Sequence, residues 1–243
     1  RDQSAAIWAS MVKTHLLLFP IVISELSLGV VLVIRRFIQA PLDLILDGMR
    51  RIGSGESGTR ISGMSGAEFR RIADGFNAMT SDIERRNTLT IVLNRLLRLT
   101  IENIPLQQVL DAALNEILSV SWLFLQTKGA IFLVENDPDI LVMKAQHDLG
   151  APVQRLCAKV PFGKCLCGMA ARSGELVYAR NLDERHEHSY EGIAPHGHYC
   201  IPIKHQDKVL GVVCLYLRDG HALDPKETAF LGSVANVLAV IVD

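Results

Sequence analysis

The chain has 243 residues, which is enough for one large domain or two small ones. Its formal net charge of −1 excludes the bulk positive charge of nucleic-acid-binding proteins, so we expect no nucleic-acid partner. Hydrophobic residues make up 49% of the chain and the mean hydropathy is +0.24, which predicts one concentrated apolar segment. Because the chain starts at Arg1 and stops within a helical pattern at Asp243, we expect it to be part of a longer protein.

The concentrated apolar segment covers residues 14–34 and is about as long as a helix that crosses a bilayer. No small-residue cleavage site follows it, so it is not a cleavable signal peptide. Arg35 and Arg36 follow directly, and cations are enriched on the cytoplasmic side of membrane helices. The sequence therefore predicts an extracytoplasmic flank at residues 1–13, one transmembrane helix at 14–36 and a cytoplasmic remainder.

Glu25 is the one residue of this segment that is Asp, Glu, Lys or Arg. A charged side chain near the bilayer centre is costly, so an ionisable residue there is functional by default. Two interpretations stay open. Glu25 is either a neutral acid in a contact between two membrane helices, or a protonation-sensitive element of a relay.

Two amphipathic helices are predicted after the membrane segment. Each carries apolar residues at alternating spacings of three and four, which is the heptad pattern of a coiled-coil seam. The first stripe is Ile38, Leu42, Ile45, Met49 and Ile52, and the second is Phe69, Ile72, Phe76, Met79 and Ile83. The connector at residues 53–66 is rich in glycine and serine, and only its Ile61 and Met64 are apolar enough to pack. Because one chain cannot bury both stripes, we expect a parallel four-helix bundle in a homodimer.

This segment resembles a HAMP domain. The resemblance depends on Pro41 after the membrane helix, the glycine-rich connector and the sequence AEFRRIADGFNAM. The family usually has an acidic pair at the start of its second helix, and here Ala67 replaces the first acid while Glu68 is the second. The resemblance implies a relay over residues 37–87, with Pro41, Glu68 and the membrane residue Glu25 as candidate relay positions.

Helical patterns continue after the relay. The heptad phase breaks across ERRNT, and a new apolar set predicts a connecting signalling helix over residues 88–104. A fresh helix is expected from Asn103, with Pro105 in its first turn.

The last part of the chain predicts two hairpins followed by a helix. The strands are expected at residues 130–134, 140–145, 198–204 and 209–217. Asp224 is the predicted N-cap of the final helix, with Pro225 first and Glu227 third, which is the pattern of a capping box. Helix, hairpin, hairpin and helix in this order predict an α+β fold, with an antiparallel sheet flanked by helices.

Four segments in this region, KGAIFLV, PFGKCLCGMAARSGE, HYCIPI and VLGVVCLYL, resemble a GAF domain over residues 105–243. GAF domains are sensor modules for small molecules and redox state. Neither the cyclic-nucleotide signature of phosphodiesterase GAF domains nor the Cys-His pair that anchors bilins in phytochrome relatives is present. The combined resemblance implies a bacterial inner-membrane receptor that forms a homodimer through its HAMP and GAF helices.

Cysteine and histidine are concentrated in the GAF-like segment. The five cysteines are an odd number, and in a reducing cytosol we expect them to be free or metal-bound. The candidate ligands are Cys165, Cys167, His186, His188, His196, His198 and Cys200. If residues 196–200 are extended, then His196, His198 and Cys200 project from one face. Thiolates beside imidazoles suit zinc, iron or copper. The proposed zinc or iron ligands are Cys165, Cys167, His196 and His198.

Other interpretations of these residues stay open. His186 and His188 lie in the charged run DERHEH, which is also typical of a solvated loop. Cys200 is also compatible with core packing, as Cys157 and Cys214 are expected to be. A thiol redox switch would need no metal.

A further alternative is an anion site at a predicted helix start. Gly163 and Gly168 flank the two cysteines of KCLCG, and Lys164 is at the expected start of a helix. Backbone amides at such a position can hold an anionic ligand.

The resemblance implies a signal-transduction receptor whose GAF domain senses a small ligand, a metal or a redox state. A histidine kinase of a two-component system, or a diguanylate cyclase, would be the downstream output domain, and no motif of either occurs here. We therefore expect no enzyme activity from this chain. One rival is a GAF-fold thiol enzyme of the methionine sulfoxide reductase type, with Cys165 or Cys167 as nucleophile and His196 or His198 as base. Another is a degenerate GAF domain that acts as a dimerisation spacer.

Overall fold

The computed structural model describes residues 2–56, 58–101, 104–188 and 192–243. It divides into an N-terminal unit that ends at Glu84 and a C-terminal unit that begins at Arg85. The helices are α1 (Asp2–Ile34), α2 (Ala40–Gly53), α3 (Ala67–Ile101), α4 (Leu106–Leu118), α5 (Ala151–Leu156), α6 (Cys165–Ser173) and α7 (Pro225–Val242). The strands are β1 (Leu125–Val134), β2 (Ile140–His147), β3 (Lys159–Pro161), β4 (Val177–Ala179), β5 (His196–His205) and β6 (Lys208–Arg218).

The N-terminal unit begins with a long helix whose apolar side chains are exposed. Helix α1 contains Pro20 and continues through a π-helical turn, Arg35–Gln39, into α2. The stretch Leu18–Gly53 is long and apolar enough to cross a membrane, and its most apolar window is 0% buried. Lipid removes the cost of exposing such a surface to water. Helix α7 passes the same test of length and composition, but one face of it packs in the core of the C-terminal unit through Phe230, Leu231, Val234 and Leu238.

Helices α2 and α3 pack on each other through a small core. Its buried members are Ile45, Ile61, Met64, Ala73 and Phe76. Two of them, Ile61 and Met64, are the connector residues that the sequence predicted would pack. The Asn77 side chain on α3 accepts a hydrogen bond from the Ile61 N–H of the connector and donates one to the Ile61 carbonyl, both at 2.8 Å. The remaining stripe residues Leu42, Met49, Ile72, Met79 and Ile83 are exposed in the single chain.

The C-terminal unit is built on one six-stranded antiparallel sheet in the order β3-β2-β1-β6-β5-β4. The two predicted hairpins are β1-β2 and β5-β6, and each strand extends beyond the predicted range. The α+β prediction is confirmed. The edge strands β3 and β4 are three residues long, and the sequence did not predict them or α5.

Helices cover both faces of the sheet and create two cores. On the first face, α4, α7 and the C-terminal half of α3 enclose a large apolar cluster. Val92 and Leu96, from the predicted connecting helix, are buried in this cluster at 3% and 0% exposure. On the second face, α6 and its neighbours enclose a smaller cluster that includes Cys167, Cys200 and Cys214.

Helix α4 begins at Leu106, one residue after its N-cap Pro105. The helix was predicted to begin at Asn103, which lies outside the described residues. Helix α6 begins at Cys165 with Lys164 as N-cap, where a helix start was predicted.

The capping-box prediction at the start of α7 is correct for Asp224 and wrong for Glu227. Asp224 caps the helix by accepting a hydrogen bond from the Lys226 N–H at 2.7 Å. The Glu227 carboxylate does not accept a hydrogen bond from the N-cap N–H. It is buried and binds three groups beside the sheet instead. It accepts hydrogen bonds from the Phe124 N–H at 3.0 Å and the Tyr199 hydroxyl at 2.9 Å, and it pairs with His221 Nε2 at 2.7 Å.

We predict that Glu227→Ala lowers the free energy of unfolding of the C-terminal unit by about 3 kcal/mol. The substitution leaves the partly buried Phe124 amide and the buried Tyr199 hydroxyl without their acceptor, and such losses cost about 1–3 kcal/mol each. Urea denaturation of the full chain in detergent, followed by tryptophan fluorescence, measures the change. Glu175→Ala, at an exposed position on the same unit, is the matched control and should change stability by less than about 0.5 kcal/mol. Equal effects of the two substitutions would contradict the assigned role of Glu227.

Candidate functional site

Strand β5 brings His196, His198 and Cys200 to one face of the sheet. Residues two apart in a strand share a face, and Tyr199 and Ile201 accordingly pack in the cluster on the other side. Gly197 lies between the two histidines because β4 passes close to it. A Cβ at residue 197 would lie 2.5 Å from the Ala179 carbonyl oxygen. The predicted projection of two imidazoles and a thiol from one face is therefore confirmed.

Three imidazoles meet above this face. His186, from the loop after β4, stacks on His198 with ring centroids 5.1 Å apart, and His196 lies 4.7 Å from His198. One nitrogen of each ring lies within 4.8 Å of the corresponding nitrogen of the others. Tyr216 on β6 stacks on His196 at 4.7 Å.

Two nitrogens of this histidine cluster are buried without a partner. His196 Nδ1 donates to the Ala194 carbonyl at 2.7 Å, so the lone pair of this ring is on Nε2. Within the described part of the chain, three buried side-chain nitrogens have no hydrogen-bond partner, and two of them are His196 Nε2 and His198 Nε2. Buried polar atoms are normally satisfied, so this pair marks the cluster as a place where a ligand atom is expected.

Burial keeps these imidazoles neutral. It lowers the pKa of His198 well below its ordinary value, and the neighbouring rings of His196 and His186 lower it further. Burial also lowers the pKa of His186 and of His196. The neutral ring is the form that binds metals.

Three thiols form a second group beneath the histidines. Cys167 Sγ lies 3.8 Å from Cys200 Sγ, which lies 3.6 Å from Cys214 Sγ. Cys214 Sγ in turn lies 3.5 Å from His198 Nδ1. The contact with Cys167, together with burial, raises the pKa of Cys200 well above its ordinary value. These thiols are therefore protonated at neutral pH, and a buried protonated thiol is a poor nucleophile.

The predicted set of four ligands is not assembled. Cys167 lies in the thiol group, His196 and His198 lie in the histidine group, and Cys165 belongs to neither. Cys165 is the first residue of α6, and it lines the same cavity as Cys167 and His198 without belonging to either group. Cys165 is buried, with a φ of 54° that non-glycine residues rarely adopt.

His188 and Cys157 form a pair of their own. His188 Nδ1 lies 3.4 Å from Cys157 Sγ and is not one of the three clustered imidazoles, although it lines a small cavity with His186 and His196. Cys157 is half-buried rather than a full core residue, and burial raises its pKa to about 12.

The backbone amides proposed for an anion are already occupied. The Gly163 N–H donates to the Gly168 carbonyl at 2.7 Å, the Lys164 N–H to the Pro161 carbonyl at 3.0 Å, and the Gly168 N–H to the Lys164 carbonyl at 3.0 Å. Gly168 is required by this turn, since a Cβ there would lie 2.2 Å from the Pro161 carbonyl oxygen. These contacts argue against the anion-site alternative.

The space beside the two groups is small. A cavity of about 30 Å³ lies between α6 and the sheet. Its lining includes Cys165, Cys167, His186, His198 and Tyr216. A volume of about 10–15 Å³ suffices for one water molecule, so this cavity has room for an ion or a few atoms.

Comparison with known families and structures identifies both units. The sequence model of the GAF domain matches residues 103–243, more than half of the chain. The chain belongs to the GAF domain family. The model of the HAMP domain matches residues 33–85, so the N-terminal unit contains a HAMP domain. No curated protein matches the chain.

Solved structures agree with this assignment. The GAF domain of a phosphoenolpyruvate-protein phosphotransferase from Coxiella burnetii is 20% identical with a TM-score of 0.54, over 63% of this chain and 91% of that one. The corresponding domain from Acinetobacter is 16% identical with a TM-score of 0.52, over the same shares. Free methionine-R-sulfoxide reductase from Neisseria meningitidis is 19% identical with a TM-score of 0.51, over 63% and 87%. At these identities the likeness establishes a common fold.

We predict that Cys157 is alkylated about 10³-fold more slowly at pH 8 than an unfolded cysteine. A pKa of about 12 leaves far less thiolate than the ordinary value of about 8.5. Because the pKa is raised, the rate should increase about tenfold per pH unit from pH 7.5 to 9.5. Iodoacetamide labelling followed by peptide mass spectrometry measures the rate, with the urea-unfolded chain as the reference. Cys167, Cys200 and Cys214 should stay unlabelled in the folded chain, and a rate that levels off below pH 9 would contradict the raised pKa.

Proposed function

We propose that this chain is the membrane-anchored sensory part of a bacterial signal-transduction receptor. Its GAF domain senses a small cytoplasmic ligand, and its HAMP domain relays the resulting change. The observation that carries the proposal is the unbroken helix α3. Ala73 and Phe76 in its first half are buried in the HAMP core, and Val92 and Leu96 in its second half are buried in the GAF core. A change in the GAF core is therefore applied directly to a helix of the HAMP domain.

Strand β5 connects the candidate site to that helix. His196 and His198 face the site, whereas Tyr199 and Ile201 face the cluster that contains Val92 and Leu96. A ligand that shifts β5 would press on this cluster. The signal would then pass through packed side chains that have two arrangements, as in other switching proteins.

The membrane helix sets the proposed location. Its exposed aliphatic side chains fit lipid, and Arg35 and Arg36 support a cytoplasmic location of the HAMP and GAF domains, beneath the inner membrane. Glu25 lies in the lipid-facing helix, and either of its two roles, helix contact or relay, fits a receptor of this kind. Pro41 is buried at the first turn of α2, and Glu68 lies exposed in the first turn of α3, as relay positions would.

A homodimer is part of the proposal. The exposed stripe of Leu42, Met49, Ile72, Met79 and Ile83 has no cover within the chain. A second copy would bury it in a parallel four-helix bundle. In the full-length protein, a histidine kinase or diguanylate cyclase domain would receive the signal, and no nucleic-acid contact is needed.

The geometry disfavours the enzyme alternative. A reductase nucleophile must reach its substrate as a thiolate, yet Cys167 is buried. Its contact with Cys200 lowers its pKa, but the contact with Cys214 and burial raise the pKa well above the ordinary value. The cavity beside it, about 30 Å³, is too small for an amino-acid sulfoxide. The unpaired nitrogens of His196 and His198 in turn argue against a spacer without a ligand site.

We predict that the full chain in membranes cross-links through the exposed stripe of α3. Met79→Cys should form an interchain disulfide on mild oxidation, whereas Asp74→Cys should not. Asp74 is exposed on the same helix but lies about 140° around it from Met79. Non-reducing gel electrophoresis of the membranes measures the yield. Equal yields at both positions would contradict the dimer seam.

Helix phase provides the test of coupling. One alanine inserted after Arg86 rotates the upstream part of α3 by about 100° relative to the GAF domain, and seven inserted alanines rotate it by only about 20°. If the two domains are coupled, the Met79→Cys yield should fall with one inserted residue and recover with seven. If both insertions leave the yield unchanged, α3 does not couple the domains.

A further inference from the structure

The histidine cluster contains two of the three buried side-chain nitrogens that lack a hydrogen-bond partner in the described part of the chain. His196 and His198 are 5% and 3% exposed, and their Nε2 atoms accept or donate no hydrogen bond. We propose that His186, His196 and His198 bind one divalent transition metal ion of borderline softness, with zinc as the expected physiological ion. The proposal rests on the proposed function and deepens it by naming the ligand that the GAF domain senses.

The hydrogen bonds around the cluster determine which nitrogen of each ring carries the lone pair that can bind a metal. The Ala194 carbonyl takes the proton of His196 Nδ1 and leaves the Nε2 lone pair free. Metal-binding histidines usually donate their second ring N–H to a carbonyl or a similar acceptor. His198 Nδ1 faces Cys214 Sγ, which already receives the Cys200 thiol proton. When His198 Nδ1 donates to that sulfur, its Nε2 lone pair also faces the cluster.

The donor set selects the class of ion. The cluster consists of three imidazoles without a carboxylate oxygen. Magnesium and calcium require oxygen ligands, whereas zinc, copper(II), nickel and iron bind imidazole well. Three histidines with one open position also match a known arrangement of zinc.

The three donor nitrogens must move closer together to bind a zinc ion. Zinc–nitrogen bonds of about 2.0–2.1 Å place tetrahedral donors about 3.4 Å apart. The donor nitrogens lie within 4.8 Å of one another, so the widest pair must close by at most about 1.4 Å. His186 is the residue that can move, because it lies in a loop, whereas the other two lie in strand β5. The residue before His186 fixes the loop, because Arg185 binds Asp183 and the Tyr178 carbonyl.

Binding would tie this loop to β5 and so change the sensor. The ion would bridge His186 on the loop to two residues of a strand whose other face belongs to the apolar cluster that also contains Val92 and Leu96 of α3. The thiol group is the competing site, but Cys167, Cys200 and Cys214 already contact one another and leave no unpaired atom. We therefore assign the ion to the imidazoles.

Metal titration of the full chain tests the assignment. The reduced protein is purified in detergent, treated with a chelator and titrated with Co²⁺ as a spectroscopic probe, after which Zn²⁺ is added as competitor. We expect one Co²⁺ per chain by elemental analysis, visible bands of a nitrogen-ligated ion without sulfur charge-transfer bands, and displacement by Zn²⁺. His186→Gln should weaken Co²⁺ binding by at least about 10- to 100-fold.

His188→Gln is the matched control. His188 lies two residues from His186 in the same loop but pairs with Cys157, so this change should alter the Co²⁺ affinity less than about threefold. Thermal unfolding shows whether each variant is folded. His186→Gln is the decisive variant, because a substitution in a loop should leave the fold intact. His198→Gln should abolish binding if it folds.

Three results would overturn the metal site. They are the absence of stoichiometric Co²⁺ or Zn²⁺, equal effects of His186→Gln and His188→Gln, and sulfur charge-transfer bands that disappear in Cys200→Ala. The last result would move the ion to the thiol group. None of these results affects the cross-linking pattern of α3, and loss of that pattern leaves the metal titration valid. The metal site and the proposed receptor function can therefore fail separately.

Discussion

The two-residue period of β5 is the constraint on which the C-terminal unit depends. One face of this strand carries His196, His198 and Cys200, and the other carries Tyr199 and Ile201. The first set forms the candidate site and the second set joins the large core. A shift of β5 by one residue would exchange the two faces, placing imidazoles in the apolar core. The buried Glu227 opposes such a shift, since its carboxylate holds the Tyr199 hydroxyl and the start of α7 at fixed positions.

Helix α3 has a corresponding role between the two domains. It supplies Phe76 to the HAMP core and Leu96 to the GAF core without a break in the helix. A rigid helix transmits rotation, whereas a flexible linker would absorb it. The HAMP part leaves much of its apolar stripe exposed in the single chain, and in the proposed homodimer a second copy would cover it.

The candidate site departs from the rule that buried polar atoms are paired. Elsewhere the GAF domain satisfies difficult groups well, as the three partners of Glu227 illustrate. At the site, two imidazole nitrogens are left without partners, three thiols are packed together, and Cys165 has an unfavourable φ. Proteins accept such costs mainly where function requires them, and these costs mark the histidine cluster as the candidate ligand site.

The sequence by itself determined the elements whose residue pattern is regular along the chain. The apolar run, the heptad stripes and the alternating strands have periods that reveal their structure, and segment order identified the HAMP and GAF domains. Edge strands of three residues, such as Val177–Ala179, have too few positions to show a period. They could be located only by their pairing with β5.

Tertiary structure alone decided which side chains meet. Cys214 joins Cys200 because strand register places them opposite each other, and His186 reaches the site because its loop returns over β5. Cys165 lines the same cavity as Cys167 but joins neither the thiol group nor the histidine cluster. Glu227 faces the sheet because a buried carboxylate gains more from three partners there than from one amide at the N-cap. Local sequence fixes the direction of each side chain only relative to its own element, and contacts between elements depend on how those elements pack.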